Sequence, residues 1–178
     1  LHLHLGDGPR GLEFVRRALR ESEIPARVFN PTHVNRRKAL FDEAVALAGD
    51  GCYIDLTAFP VEDGEDAWSA AEGLQRYLAS GAPPDRITIS SDAGGCLPCF
   101  DAEGRVSRMD VGHSGALLET LRVLVDSGMP LETALPAFTG NPARLLRLTG
   151  KGRVDAGADA ALVALDATGA AQTVIIGG

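Results

Sequence analysis

No run of about 18 consecutive apolar residues occurs in this chain, so nothing in it reads as a membrane-spanning helix. The opening Leu1-His2-Leu3-His4-Leu5 is far too short for a signal peptide. Positive charge is in deficit: 17 Lys and Arg against 24 Asp and Glu give a formal net charge of -7 and a pI near 5.0. That balance argues against nucleic acid or an anionic membrane as the main partner, while leaving room for a local basic pocket that takes a small anion. Cysteine is scarce. Cys52, Cys96 and Cys99 make an odd count, unlike a secreted disulfide framework. The single C-x-x-C of Cys96 and Cys99 has no second pair, so a closed all-cysteine zinc site is not expected. The cytoplasm is the expected compartment. Low-complexity segments are absent, and so are repeats other than strand–helix units.

What is present suits one good-sized core: 178 residues, 45% hydrophobic and 23% charged. The chain opens with Leu1 inside a strand pattern and reads as the C-terminal portion of something longer. Leu1, Leu3 and Leu5 alternate with His2 and His4 at period 2, and Gly6-Asp7-Gly8-Pro9 breaks the strand. Leu12, Val15, Ala18 and Leu19 then predict a helix over 11–22. A second unit follows as a strand over 26–30, a Thr-His-Val-Asn loop, and a helix over 37–48 closed by Gly49 and Gly51. The third has a strand over 51–58, an acidic loop (Glu62, Asp63, Glu65, Asp66) and a helix over 67–80. The fourth strand, 86–91, ends at Asp92, and Ala93-Gly94-Gly95 permits unusual backbone angles.

After a loop, Leu117, Leu118, Leu121 and Leu124 stripe a helix over 111–127, and another begins at Pro130. A third helix opens with Asn141 as its N-cap and Pro142 at its first position. The tail, 151–178, turns to two short strands at 161–165 and 173–176, expected as part of a small β-sandwich appendage; residues 1–150 form a partial barrel. Regular alternation of strand and helix means an α/β fold with a parallel sheet covered on its faces. His4, His33 and Asp92 all fall at strand C-terminal ends, which fits a closed β/α barrel better than an open sheet.

Imidazole and carboxylate are good ligands for zinc and similar ions, so convergence of His4, His33 and Asp92 would make a metal site. Any one of them alone has a simpler role: a hydrogen-bonded strand-end histidine, or a turn-forming aspartate. His2 shares a strand face with His4 one layer deeper and reads as structural. His113 reads as a loop or capping residue. Arg36 and Arg37 follow His33 at a helix start, where the dipole slightly disfavours cations; a guanidinium there can grip a substrate carboxylate. Cys96 and Cys99 could line the same pocket or be spectators.

Three segments together carry a resemblance. His4-Leu5-Gly6-Asp7, Pro31-Thr32-His33-Val34-Asn35-Arg36 and Ser90-Ser91-Asp92 resemble the isoaspartyl dipeptidase family of the amidohydrolase superfamily. Thr139-Gly140-Asn141-Pro142-Ala143 and 152–163 look like the closing segment of the wider superfamily. The resemblance covers this chain and about the second half of the family's protein. It implies the second half (strands 5–8) of a distorted (β/α)8 TIM-like barrel. It also implies two zinc ions bridged by a carboxylated lysine and a hydroxide that attacks the isopeptide bond of a β-aspartyl dipeptide.

By the same resemblance His4 and His33 bind one metal, and Asp92 binds the other and carries the proton to the leaving amine. Arg36 holds a substrate carboxylate, and Cys96 stands where the family often has a substrate-contacting serine. A small β-aspartyl dipeptide is the implied partner, and the full-length protein is expected to be a homo-oligomer. The first-strand His-x-His pair and the bridging lysine would lie outside this chain, so the chain alone is expected to be catalytically incomplete. Other readings stay open: another amidohydrolase cleaving a cyclic amide, an imide or an N-acyl group, or an inactive fragment that needs a partner chain.

Overall fold

Parallel strands cannot be joined by a tight turn, and the regular strand–helix order of the first hundred residues is built accordingly. In a computed structural model that describes residues 1–6, 8–100, 103 and 105–177, β1 (His2–His4) pairs in parallel with β2 (Asn30–Thr32). β3 (Ile54–Thr57) pairs in parallel with β4 (Ile87–Ser90). Helices α1 (Glu13–Glu21), α2 (Lys38–Gly49) and α3 (Ala70–Ala79) make the three crossovers. The two ladders meet where Tyr53 donates its backbone N–H to the Phe29 carbonyl at 3.0 Å. Among the described residues the sheets remain four two-stranded ladders, and no barrel closes.

Each crossover helix buries one stripe. Leu40, Phe41, Ala44, Leu47 and Ala48 of α2 recur at helical spacing, and all are buried. They pack with Ile54 and Leu56 of β3 and Leu74 and Tyr77 of α3 in one core. The first turn of α3 is held by a capping box: Glu72 N–H donates to Ser69 Oγ, and Ser69 N–H to Glu72 Oε2. That box sets the start of the helix at residue 70, three residues later than its apolar pattern predicts. α1 is tied to α2 by Arg16 and Glu43, whose Nη1 and Oε2 lie 2.5 Å apart.

The strand predicted over 26–30 is displaced. Residues Ala26–Val28 form a 3-10 turn, closed by Val28 N–H to Pro25 O at 2.9 Å, and the strand occupies Asn30–Thr32 instead. Pro25 at the turn's start favours that compact geometry over extension. After β4 the expected loop contains an antiparallel hairpin, β5 (Cys96–Phe100) and β6 (Val106–Val111). Helix α4 (Ala116–Asp126) accordingly begins later than predicted, with Leu121 and Leu124 buried.

Two short helices follow, α5 (Leu131–Ala134) and α6 (Gly140–Leu145). Asn141 is not the N-cap of α6; Thr139 occupies that position. The Asn141 amide is buried and donates to the carbonyls of Pro84 (2.9 Å) and Ile87 (2.8 Å), fastening α6 to the start of β4. The chain ends in the antiparallel pair β7 (Ala161–Leu165) and β8 (Ala171–Ile176). No helix among the described residues is long and apolar enough to cross a membrane.

Candidate active site

At the C-terminal ends of the parallel strands the chain makes two backbone turns that L-residues ordinarily avoid. Among the described residues three non-glycines have positive φ, and two of them are His33 (φ 63) and Asp92 (φ 47). Such conformations persist only when the surroundings over-determine them, and they concentrate at functional sites. His33 follows β2 directly and Asp92 closely follows β4, and both line a cleft of about 600 Å³ with Arg36, Arg37, Thr57 and Cys96. Four of the five residues predicted for the site therefore share one cavity. The fifth, His4, does not line it but stands against His33, its Nδ1 2.9 Å from His33 Nε2.

His33 is held from both sides. Its Nδ1 lies 2.8 Å from Thr57 Oγ1, so a proton placed there leaves the Nε2 lone pair facing His4. Burial pushes the His33 pKa below its ordinary value; the neighbouring His4 and Arg36 charges act the same way, and Asp92 and Asp55 oppose them. The neutral imidazole is thus favoured, which is the form that binds metal. The turn carrying His33 is clamped by Asn35, whose fully buried amide takes the Thr57 N–H (2.8 Å) and donates to Thr57 O (3.0 Å) and Trp68 O (2.8 Å).

Arg36 is half-buried, and its Nη1 donates to the Leu5 carbonyl at 2.9 Å, which orients it across the β1–β2 junction. Asp92 sits in a glycine cradle. Gly95 donates its N–H to the Asp92 carbonyl at 2.8 Å, and a Cβ on Gly95 would fall 2.5 Å from Asp92 Oδ2. Cys96 opens β5 as an exposed free thiol. The side chain of Cys99 lies outside those described, as does Asp7 of the first motif. His2 does not line the cleft; it pairs with Asn30, with Nδ1 2.7 Å from Oδ1, and stands edge-on to the His4 ring. His113 is exposed and 3.8 Å from Glu119.

Thr57, the polar residue at the end of the remaining strand, joins the site without having been expected there. So do Arg108 and Asp110, an ion pair at 2.7 Å on β6 that lines the same cleft. Only the last three residues of the strand, Met109-Asp110-Val111, alternate, too short a signal to announce it in the sequence.

Two imidazole nitrogens 2.9 Å apart, each at the end of its own strand, fit a shared divalent ion. Two bonds of ~2.1 Å at a tetrahedral angle place their nitrogens about 3.4 Å apart, so the observed pair needs to open only slightly. Asp92 adds a carboxylate facing the same cleft. Among the described residues no three of His, Cys, Asp and Glu converge closely enough to hold an ion by themselves. The donor set suits a metal centre but is not a complete one.

Residues 2–178 match the amidohydrolase family over nearly their whole length. The chain belongs to the amidohydrolase family. Amidohydrolases are generally metal-dependent, in keeping with the histidine pair.

Among solved structures, this amidohydrolase is similar to the β-aspartyl dipeptidase of Fervidobacterium islandicum AW-1. The likeness has a TM-score of 0.90 at 34% identity and covers 100% of this chain and 45% of that one, which was solved with a β-Asp-Leu dipeptide. A second structure of a β-aspartyl dipeptidase from the same organism gives a TM-score of 0.85 at 30% identity over 44% of its chain. A deacetylase of Agrobacterium fabrum is 27% identical over 75% of this chain and 36% of its own length. The chain thus spans less than half the length of these relatives.

Proposed function

We propose that this chain is the C-terminal half of an isoaspartyl dipeptidase, which hydrolyses the isopeptide bond of β-aspartyl dipeptides with two zinc ions. The observation that carries the reading is the Pro31–Arg36 segment. One tight turn there puts His33, paired with His4, and Arg36 beside the cleft that Asp92 enters from β4. The likeness to the dipeptidase solved with β-Asp-Leu supports the same choice. Residues 1–150 contribute strands 5–8 of the barrel, and 151–178 contribute strands to a small β-sandwich appendage. The remaining ligands, including a carboxylated lysine, come from the rest of the protein, which we take to be a homo-oligomer.

His4 Nδ1 and His33 Nε2 would hold one ion, and Asp92 the other. When bound, such ions polarise the scissile carbonyl and bring the pKa of water toward ~7. This chain's residues do the rest. Arg36 offers a guanidinium fork to a substrate carboxylate and so fixes the dipeptide in the cleft. Asp92 accepts the proton released as water adds to the amide carbon and returns it to the amine nitrogen as the C–N bond breaks. Thr57 keeps the His33 ring oriented throughout. Cys96, a poorer hydrogen-bond partner than serine, makes a weaker contact at the cleft wall.

The deciding experiment is hydrolysis of β-Asp-Leu by the full-length protein with zinc supplied. Release of aspartate and leucine is expected. No release, with turnover of N-acetylated amino acids instead, would favour the deacetylase-like alternative represented by the Agrobacterium fabrum relative.

A further inference from the structure

Beneath the proposed ligand layer lies a buried carboxylate that the reaction does not use. Asp55, in the middle of β3, is 3% exposed and accepts three hydroxyl hydrogen bonds, each 2.6 Å long. The donors are Thr32 on β2 and Thr88 and Ser90 on β4, so one side chain gathers three strands. Thr32 immediately precedes His33, and Ser90 lies two residues before Asp92.

We propose that Asp55 is a positioning residue that sets the spacing between the His33 and Asp92 strand ends, and through them the geometry of the bound metal. The proposal rests on the hydrolytic reading above. Among the described residues no backbone ladder joins β2 to β3. The Tyr53–Phe29 main-chain bond pins the end of that seam away from the rim, and the Thr32–Asp55 bond ties it again by side chains nearer the rim. A carboxylate suits this junction because its two oxygens carry lone pairs enough for the three O–H donors. An amide in its place would turn an N–H toward one of those hydroxyls and leave that donor without an acceptor. A carboxylate held by three hydroxyls offsets much of the cost of its burial.

The three hydroxyls allow the idea to be tested without touching a ligand. In the full-length protein, Thr32→Val, Ser90→Ala and Thr88→Val each remove one 2.6 Å bond to Asp55. The first two release segments that carry His33 or Asp92, while Thr88 sits one layer further from the rim. Zinc affinity by chelator competition, kcat and KM for β-Asp-Leu, and the melting point of metal-free protein would be compared. Thr32→Val and Ser90→Ala are expected to weaken zinc binding roughly 10- to 100-fold, the range for residues that orient ligands. They should lower kcat with KM little changed. Thr88→Val should melt like the other two but keep zinc affinity within about 3-fold.

Equal effects of all three on zinc, or no effect of any, would overturn the proposal and leave the hydrolytic reading standing. Asp55→Asn, if it folds, should lose zinc as the first two do; retention of wild-type affinity would also overturn it. Wild-type protein that binds no zinc and cleaves no amide would remove both readings at once.

Discussion

In the proposed dipeptidase, Arg36 is the residue on which substrate choice would turn. Its guanidinium is anchored on the Leu5 carbonyl and borders the cleft, while the His33 ring takes its orientation from Thr57. Arg36→Met should therefore raise KM for β-Asp-Leu by roughly 10- to 100-fold, the worth of one hydrogen bond to a charged group, with zinc content unchanged. Zinc loss instead would assign Arg36 to the scaffold. Gly112 makes the companion case for Asp92. A Cβ at Gly112 would sit 2.5 Å from the Asp92 carbonyl oxygen, so Gly112→Ala must push the turn aside. A cost of about 1–3 kcal/mol in stability is expected, with a fall in kcat as Asp92 moves. Unaltered melting and turnover would mean that the turn yields freely. The placement of His33, Arg36 and Asp92 beside one cleft could be read in the sequence because each follows a strand pattern at the rim. Asp55, Thr57 and Asn35 could not. Their roles depend on which strand lies beside which, and Asp55 looks like any polar residue inside a strand until Thr32, Thr88 and Ser90 surround it.

Elements were legible to the extent that their signals were local. The stripe of α2 and the apolar runs of β7 and β8 are written in adjacent residues and lie within a residue or two of where the pattern puts them, while the α4 stripe marked its helix but not its start. The β5–β6 hairpin was passed over because its connection lacks the two-residue turn signature that announces tight hairpins. The 3-10 turn at Ala26–Val28 was read as strand because an apolar run alone does not distinguish the two. Where a local signal decides, its energy can be predicted. Ser69→Ala removes the α3 capping box and should cost about 1 kcal/mol of stability without changing activity, checked by denaturant unfolding. The α1–α2 tie should respond to acid. Burial pushes Glu43 up, but the Arg16 guanidinium and the Leu12 N–H outweigh it and hold the carboxyl below its ordinary value. A depressed carboxylate stabilises the fold above its unfolded pKa, and that stability is lost as pH falls through the folded value. Glu43→Gln should therefore flatten the acid limb of the melting profile below about pH 4.5, where the wild type loses stability. An identical acid limb in both proteins would show that this ion pair contributes nothing there.

At the scale of the molecule, the surface carries exposures that the proposed half-barrel would need covered. The C-terminal hairpin is largely uncovered: Val163, Val174 and Ile176 are 57%, 61% and 88% exposed, although its strands are rich in the apolar residues that ordinarily pack against a second layer. An isolated two-stranded hairpin is marginal in water, so these strands need cover to hold their register. The parallel strands pose the same problem at a larger scale, because two ladders leave the inner face open along a cavity of about 890 Å³ bordered by Leu1, Val28, Tyr53 and Ile89. If the chain is half of a barrel with part of a β-sandwich, both exposures are filled by the rest of the protein, and hydrogen exchange can see it. Amides of β7 and β8 should exchange slowly in the full-length protein and orders of magnitude faster in the 178-residue chain alone, which should also lack β-Asp-Leu hydrolysis. Equal protection in both, with activity in the short chain, would mean that these 178 residues assemble a complete site by themselves. The histidine pair and Asp92 would then have to recruit their remaining ligands from a second copy.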